Sequence, residues 1–321
     1  MKIGAYEITC GTMALCMSAP LQAQNYPIKT VRIVVTVAPG GGLDPQARFL
    51  AKKLQESTGQ NFVVENRPGA ATMIATEYVI RAPADGYTLL CAAATLASSV
   101  TLNRNISFDL QKDLIPVSQL SSAAQFLIVH PSLPSRNLKE FIAVAKAQAG
   151  KMNAASGGNG SANHLALEML KQRAGIQVVH VPYKGSGPAT IALMSGEVDF
   201  SFAGAVTIMP HLRSGKIRAL AVTTANPSPA APSVPTVASM YPGFESNNWY
   251  AIFAPAATPA AIINKLGVEI SSTVKAFDMR AFLLKEGAEP VGSTPKEFAA
   301  YFRSEVERYA AVIKAANIRV D

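Results

Sequence analysis

Glycine-rich turns recur where short apolar runs end, and they are the residues with the most chemistry to offer. "APGGGLDP" (38–45) closes "VRIVVTVA", and "SGGNGSANH" (156–164) closes "MNAAS". "YKGSGPA" (183–189) closes "IQVVHVP", and "AGA" (203–205) closes "VDFSF". A helical pattern follows each turn. Glycine has no Cβ, so a ligand can approach the backbone N–H groups closely. The first N–H groups of a helix have no partner within it, and the positive end of its dipole lies there. The chemistry this suits is the holding of an anion: a carboxylate, a phosphate or a sulfate. Any one turn is also explained by backbone angles alone, but their recurrence in the same context weakens that reading. Gly40, Gly41, Gly42 and Leu43 are the first candidates, with Asp44 expected to cap the helix that opens at Pro45.

Groups that would transform a ligand are scarce. "PGGGLD" is neither GxGxxG nor GxxxxGK[ST], and no lysine follows it to reach a phosphate, so nucleotide binding is disfavoured. The four histidines, His130, His164, His180 and His211, are dispersed. His180 lies inside an apolar strand and reads as structural. His164 sits in a helix first turn, where a cation is disfavoured; it could donate to a ligand or serve the turn itself. Ser161 in "GNGSAN" lacks the nucleophile elbow. HExxH, CxxC and DxD spacings are absent from the sequence, so no metal, cofactor or catalytic residue is assigned. The reading is a donor-rich cleft without a general base or nucleophile.

The elements that must position these turns alternate. Strands are expected at 31–38, 61–66 and 87–94, with helices at 45–58 and 70–82 between them. A second set follows, with strands at 125–130, 152–156 and 176–183, then strand, helix and strand to 224. Helices in this set span 137–150 and 161–175, with Ser161 as N-cap and Gly175 just past the end. A further short helix starts at Ser186. Repeated βα units predict an α/β fold with mostly parallel sheets. Residues 225–237 carry four prolines and read as a loop. An extended run at 247–256 and helices at 258–276, 278–286 and about 295–316 have no strand-rich unit of their own. They are expected to pack back on the first unit. This gives lobe 1 from 24–125 with 246–321 and lobe 2 from 126–245, with hinges near 125 and 246.

The chain has 321 residues, 49% of them hydrophobic, enough for about two domains. Its formal charge of +8 comes from scattered single Lys and Arg residues, which reads as a solvated basic surface rather than a nucleic-acid stripe. Residues 1–23 read as an export signal: Lys2, a mostly apolar stretch at 8–19, and "LQA" offering cleavage after Ala23. Glu7 and Leu21 depart from that pattern, and Cys10 and Cys16 lack the small preceding residue of a lipoprotein signal. Removing this segment leaves the net charge at +8, because Lys2 and Glu7 leave together, and Cys91 remains as a single buried thiol. No later run holds the ~18 apolar residues of a membrane span. The expected location is the periplasm.

"VRIVVTVAPGGGLDPQAR", "VVENRPGA", "PADGYTLL", "ASGGNGSANHLALEML", "VVHVPYKGSGPA", "SGEVDFSF" and "GKIRALAVTT" together resemble the Bug-type receptors. These are the extracytoplasmic solute receptors of the tripartite tricarboxylate transporter family. The resemblance runs through nearly all of 26–316. It implies a type II periplasmic-binding-protein fold, a Venus flytrap whose two lobes close on a small carboxylated ligand. It implies that Pro39, Gly40, Gly41 and Asp44 hold one carboxylate, commonly through water. The opposing lobe would add Gly158, Asn159 and Ser161 and the turn Tyr183, Lys184 and Gly185; His164, Ala203 and Gly204 are candidates beside them from the residue pattern alone. Thr95 and Leu96 would face the cleft after the third strand. Leu43 stands where the family often has Thr or Ser, Ser99-Val100 replaces a frequent Asn-Pro, and "GAATM" (69–73) replaces "GAGGN". The implied partners are a small carboxylate (a dicarboxylate, an amino acid or an aromatic acid) and the membrane subunits of a tripartite transporter. No cofactor and no nucleic acid are implied, and the chain is expected to act as a monomer. Two other classes fit a two-lobed cleft. One is an enzyme acting on a small carboxylate there, which lacks an identifiable base. The other is the sensing half of a transcription regulator, which lacks an N-terminal helix-turn-helix.

Overall fold

The computed structural model describes residues 26–40, 42–103 and 106–319. The export signal expected at 1–23 lies outside the described residues. The chain folds as two α/β lobes, each built on its own sheet. The first lobe opens with β1 (Val31–Val35), α1 (Leu43–Thr58), β2 (Phe62–Asn66), α2 (Met73–Ile80), β3 (Thr88–Ala93), α3 (Thr95–Leu102), α4 (Leu110–Asp113) and β4 (Leu114–Ala123). The second contains β5 (Gln125–Val129), α5 (Leu138–Ala147), β6 (Asn153–Ser156), α6 (Ala162–Ala174), β7 (Val179–Pro182), α7 (Ser186–Met194), β8 (Phe200–Gly204), α8 (Ala205–Arg213) and β9 (Arg218–Val222). The chain then returns to the first lobe with β10 (Asn248–Pro255), α9 (Ala260–Lys275), α10 (Phe277–Lys285), β11 (Glu289–Pro290) and α11 (Pro295–Ala315).

The sheet orders are β11-β4-β10-β3-β1-β2 and β7-β6-β8-β5-β9. Both sheets are mixed, which corrects the expectation of mostly parallel sheets. β1 runs parallel to β2 and β3, but β10 runs antiparallel to both β3 and β4. In the second sheet β6 is parallel to β7 and β8, while β5 is antiparallel to β8 and β9. Apart from the two-residue β11, which is antiparallel to β4, the strands that run against their neighbours are β5 and β10, at the crossings. A strand that enters a sheet directly from the other lobe has no helical crossover to return it to the same end. β4 was not anticipated: its "IPVSQLSS" mixes serines and a proline into a strand buried in part by α9 and α11.

Apolar strands and amphipathic helices make the core. Val31, Ile33, Val34 and Val35 of β1 are fully buried, as a strand covered on both faces requires. On α1, Leu43, Ala47, Leu50, Ala51 and Leu54 form a buried stripe at helical spacing. Each such leucine contributes about 1.5–3 kcal/mol. Cys91 is buried on β3, and burial pushes its thiol well above the usual range.

The two crossings lie side by side. Gln125 donates from Nε2 to Ser246 O at 3.1 Å and to Ala162 O at 3.2 Å, while its N–H donates to Thr223 Oγ1 at 3.0 Å. One buried side chain thus ties both crossings to the start of α6. α11 starts with Pro295 behind a Thr294–Glu297 capping box. It packs on α3 and β4 of the first lobe and on α6 of the second. Its Glu305, 1% exposed, accepts from Trp249 Nε1 at 2.9 Å and pairs with Arg308. Burial raises the Glu305 carboxyl, and Arg308 and the indole partly offset it.

Candidate ligand-binding cleft

The carboxyl ends of β1, β3, β6 and β8 open onto one cavity of about 460 Å3, with residues of both lobes in its wall. This is where open α/β sheets place ligands, and the volume suits a small molecule. Other hollows are larger, and the two largest, of about 770 and 950 Å3, lie beside Arg32 and Tyr78 and beside Asn103 and Ile318. Neither contains the glycine turns.

Five helices begin at the cavity. Gly42 and Leu43 start α1, Thr95 starts α3, Ser161 and Ala162 start α6, Gly185 and Ser186 start α7, and Gly204 and Ala205 start α8. Their first-turn N–H groups lie beyond the reach of their own helices' carbonyls. Ser161 is the N-cap of α6 as expected, its Oγ accepting from the His164 N–H. Asn163, 4% exposed, locks three turns together. Its Oδ1 accepts from Gly157 N at 3.2 Å, and its Nδ2 donates to Phe202 O at 3.2 Å and Ser186 Oγ at 3.3 Å.

The first turn works differently from the expectation. Asp44 is not the N-cap: α1 already starts at Leu43, behind Gly42, which has no capping side chain. The Asp44 carboxylate turns back instead. It accepts from Gly40 N at 3.1 Å, Arg48 Nε at 3.0 Å and Asn66 Nδ2 at 2.8 Å. Burial alone would raise this carboxyl, but the Arg48, Asn66 and Gly40 donors outweigh it and hold it below the usual range. The Gly40 N–H is therefore engaged within the turn. Gly40 needs glycine for its φ of +81°, with nothing within 4 Å of an added Cβ. Gly42 is the reverse: φ is −53°, but an added Cβ would meet the Tyr250 hydroxyl at 3.1 Å. Close approach is what reserves Gly42. Gly41 lies outside the described residues.

Of the residues singled out from the sequence, the cavity wall brings together Gly42, Leu43, Thr95, Ser161, Gly185 and Gly204. Pro39, Gly40, Asp44, Leu96, Gly158, Asn159, His164, Tyr183, Lys184 and Ala203 stand behind or beside it. Leu96 and Ala203 are buried in the core. Tyr183 donates to Glu197 Oε1 at 2.6 Å, away from the cleft. His164 accepts from Gly160 N at Nδ1 and faces Glu168, so it shapes the turn from behind. Ser156 Oγ lies 2.5 Å from His180 Nε2, but neither residue is in the wall.

Sequence reasoning missed Gln46, Gln125, Asn248, Tyr250 and Glu286, all of which line the cavity. Asn248 and Tyr250 share one face of β10 while Trp249 points into the core. That period-2 alternation in "NNWYAIF" was a usable signal. Asn248 Nδ2 donates to Tyr250 Oη at 3.0 Å, which leaves the phenol's own hydrogen available to the cavity. Burial pushes the Tyr250 phenol up to about 12, so it remains a donor at neutral pH.

The model of the tripartite tricarboxylate transporter family receptor matches residues 46–318. The chain belongs to this family. The receptor is 35% identical over 321 residues to protein BugT of Bordetella pertussis, covering 99% of this chain and 97% of that one. Among solved structures it is similar to R. palustris Rpa4515 with adipate, at 33% identity and a TM-score of 0.78, covering 92% of this chain and 99% of that one. It is also similar to the periplasmic binding protein BugD, at 30% identity and a TM-score of 0.74, covering 92% and 99%. The receptor is thus a solute-binding protein of the two-lobed class, as its sequence motifs implied.

Proposed function

We propose that this receptor captures a small carboxylate in the cleft, in the periplasm, and presents it to the membrane subunits of a tripartite transporter. The observation that carries the reading is the convergence of five helix starts on one cavity. The Leu43 N–H and the Tyr250 hydroxyl of the first lobe, and the α6, α7 and α8 starts of the second, would hold the carboxylate. A relative in complex with adipate and another named as a periplasmic binding protein support it. In this reading the lobes are 24–125 with 246–321 and 126–245, closing about the crossings that Gln125 ties together. The chain acts as a monomer in this reading. Residues 1–23 serve export and are removed. Among the described residues the cavity wall holds no histidine, and in this reading the cleft binds its ligand without transforming it.

The test is mass spectrometry of the small molecules released on denaturing protein purified from its native compartment. Wild type should release a carboxylate, and Gly42→Val should fold but release none. Release of a compound without a carboxylate, or equal retention by the valine variant, would reject the reading.

A further inference from the structure

The charge around the cavity is lopsided. Among the described residues its wall holds no lysine, arginine or histidine, and Glu286 is its one charged side chain. The anion-holding groups are therefore neutral donors. Besides the helix starts and the Tyr250 hydroxyl, they include Gln46. This residue is 2% exposed, and its Oε1 accepts from Ser121 Oγ at 2.7 Å. That bond fixes the amide, whose Nε2 has no partner among the described residues. An amide N–H without a protein partner, in the wall of a cavity, is free to donate to an acceptor of the occupant. One end of the occupant is thereby specified.

The other polar groups ask for the opposite. Asn248 Nδ2 is engaged by Tyr250, which leaves its Oδ1 as an acceptor. Gln125 Nε2 is engaged by Ala162 and Ser246, which leaves its Oε1 as an acceptor. Glu286 adds a carboxylate that has no hydrogen bond or ion pair among the described residues. A second anionic end brought into this wall would meet a like charge and no cation. Like charges confined in a cleft of low dielectric repel more strongly than in water.

Resting on the receptor reading above, we propose that the cleft selects a monocarboxylate whose other end carries a protonated amine, rather than a dicarboxylate. The carboxylate sits among the Leu43 N–H, Tyr250 and Gln46, and the ammonium faces Glu286 and Asn248. Glu286 is then the residue that determines specificity.

Two probes of near-equal length separate the possibilities: adipate, with carboxylates at both ends, and 6-aminohexanoate, with an ammonium at one. Calorimetry on the full receptor should show 6-aminohexanoate binding at least tenfold more tightly than adipate. Glu286→Gln should cut that preference at least fivefold, and Glu286→Lys should reverse it by gaining adipate affinity. Glu286 is half-buried with no structural bond, so both variants should fold, and circular dichroism checks this. Tighter adipate binding by wild type, an unchanged preference in Glu286→Gln, or binding of neither probe by any of the three proteins would overturn the proposal. If a carboxylate is still released from wild type and not from Gly42→Val, the receptor reading survives that result.

Discussion

The imidazole rings of His164 and His180 are stacked, with centroids 3.7 Å apart and planes 11° from parallel. They brace the second glycine turn from behind. Ser156 Oγ bridges His180 Nε2 at 2.5 Å and the Gly158 N–H at 3.1 Å, and His164 Nδ1 takes the Gly160 N–H at 3.0 Å. His164 thus carries its proton on Nε2, 3.7 Å from Glu168, which Lys171 also engages. Burial first, and then the neighbouring His164, push His180 down to about 4. A lowered histidine pKa means the fold favours the neutral ring. Its contribution is complete above the unfolded value of about 6.5 and is lost as pH falls through about 4. The melting temperature should therefore fall between pH 6.5 and 4, by an amount on the order of 2 kcal/mol in stability. His180→Gln should flatten that stretch of the curve. A wild-type profile already flat across it would show that the stack imposes no such cost.

Asp44 should matter to the turn more than to the ligand. Replacing it by alanine strips the Gly40 N–H, Asn66 and Arg48 of a shared acceptor. The expected loss is about 2–3 kcal/mol in urea unfolding, as for other buried hydrogen-bond partners. The carboxyl is held low in the fold, so this stability is present above the unfolded pKa of about 3.9 and disappears as pH falls through the folded value. Between pH 5 and 8 the difference between wild type and Asp44→Ala should stay constant.

Asn163 offers a sharper test of how the second lobe presents its donors. Asn163→Ala breaks the links to Gly157, Ser186 and Phe202 at once. Stability should drop by about 1–3 kcal/mol. Affinity for the released carboxylate should drop tenfold or more, because two helix starts lose their mutual alignment. Asn163→Asp can still accept from Gly157 but cannot donate to Phe202, so it should recover only part of either loss.

The sequence made the glycine turns legible, together with the helices behind them, Ser161 as a cap and the return of the chain near residue 246. These are local signals: a glycine needed for backbone reach, a hydroxyl at a helix start, a run of prolines. What stayed hidden was set by tertiary partners. Asp44 before a helix reads as a cap, and only the position of Asn66 and Arg48 shows that it turns away. Gln46, Tyr250 and Glu286 lie in unremarkable helix and strand contexts, and the fold alone brings them to one cavity. β4 was missed because its serines hydrogen-bond to Ser293 and Gln46, satisfactions no local pattern announces. The sheets were read as mostly parallel because βα repeats were counted, whereas the strands at the crossings set the mixture.

β10 separates β3 from β4 in the middle of the first sheet, although more than a hundred residues of the other lobe intervene in the chain. During synthesis, therefore, the first lobe is a sheet with its centre missing. β3 and β4 both wait with open edges until the strand between them leaves the ribosome. The nascent chain cannot complete its hydrophobic interior early, and long-range pairing of this kind is slow even once the strand is available. A newly made molecule should spend its first moments extended and threadable, and gain protease resistance only after its last quarter has been made.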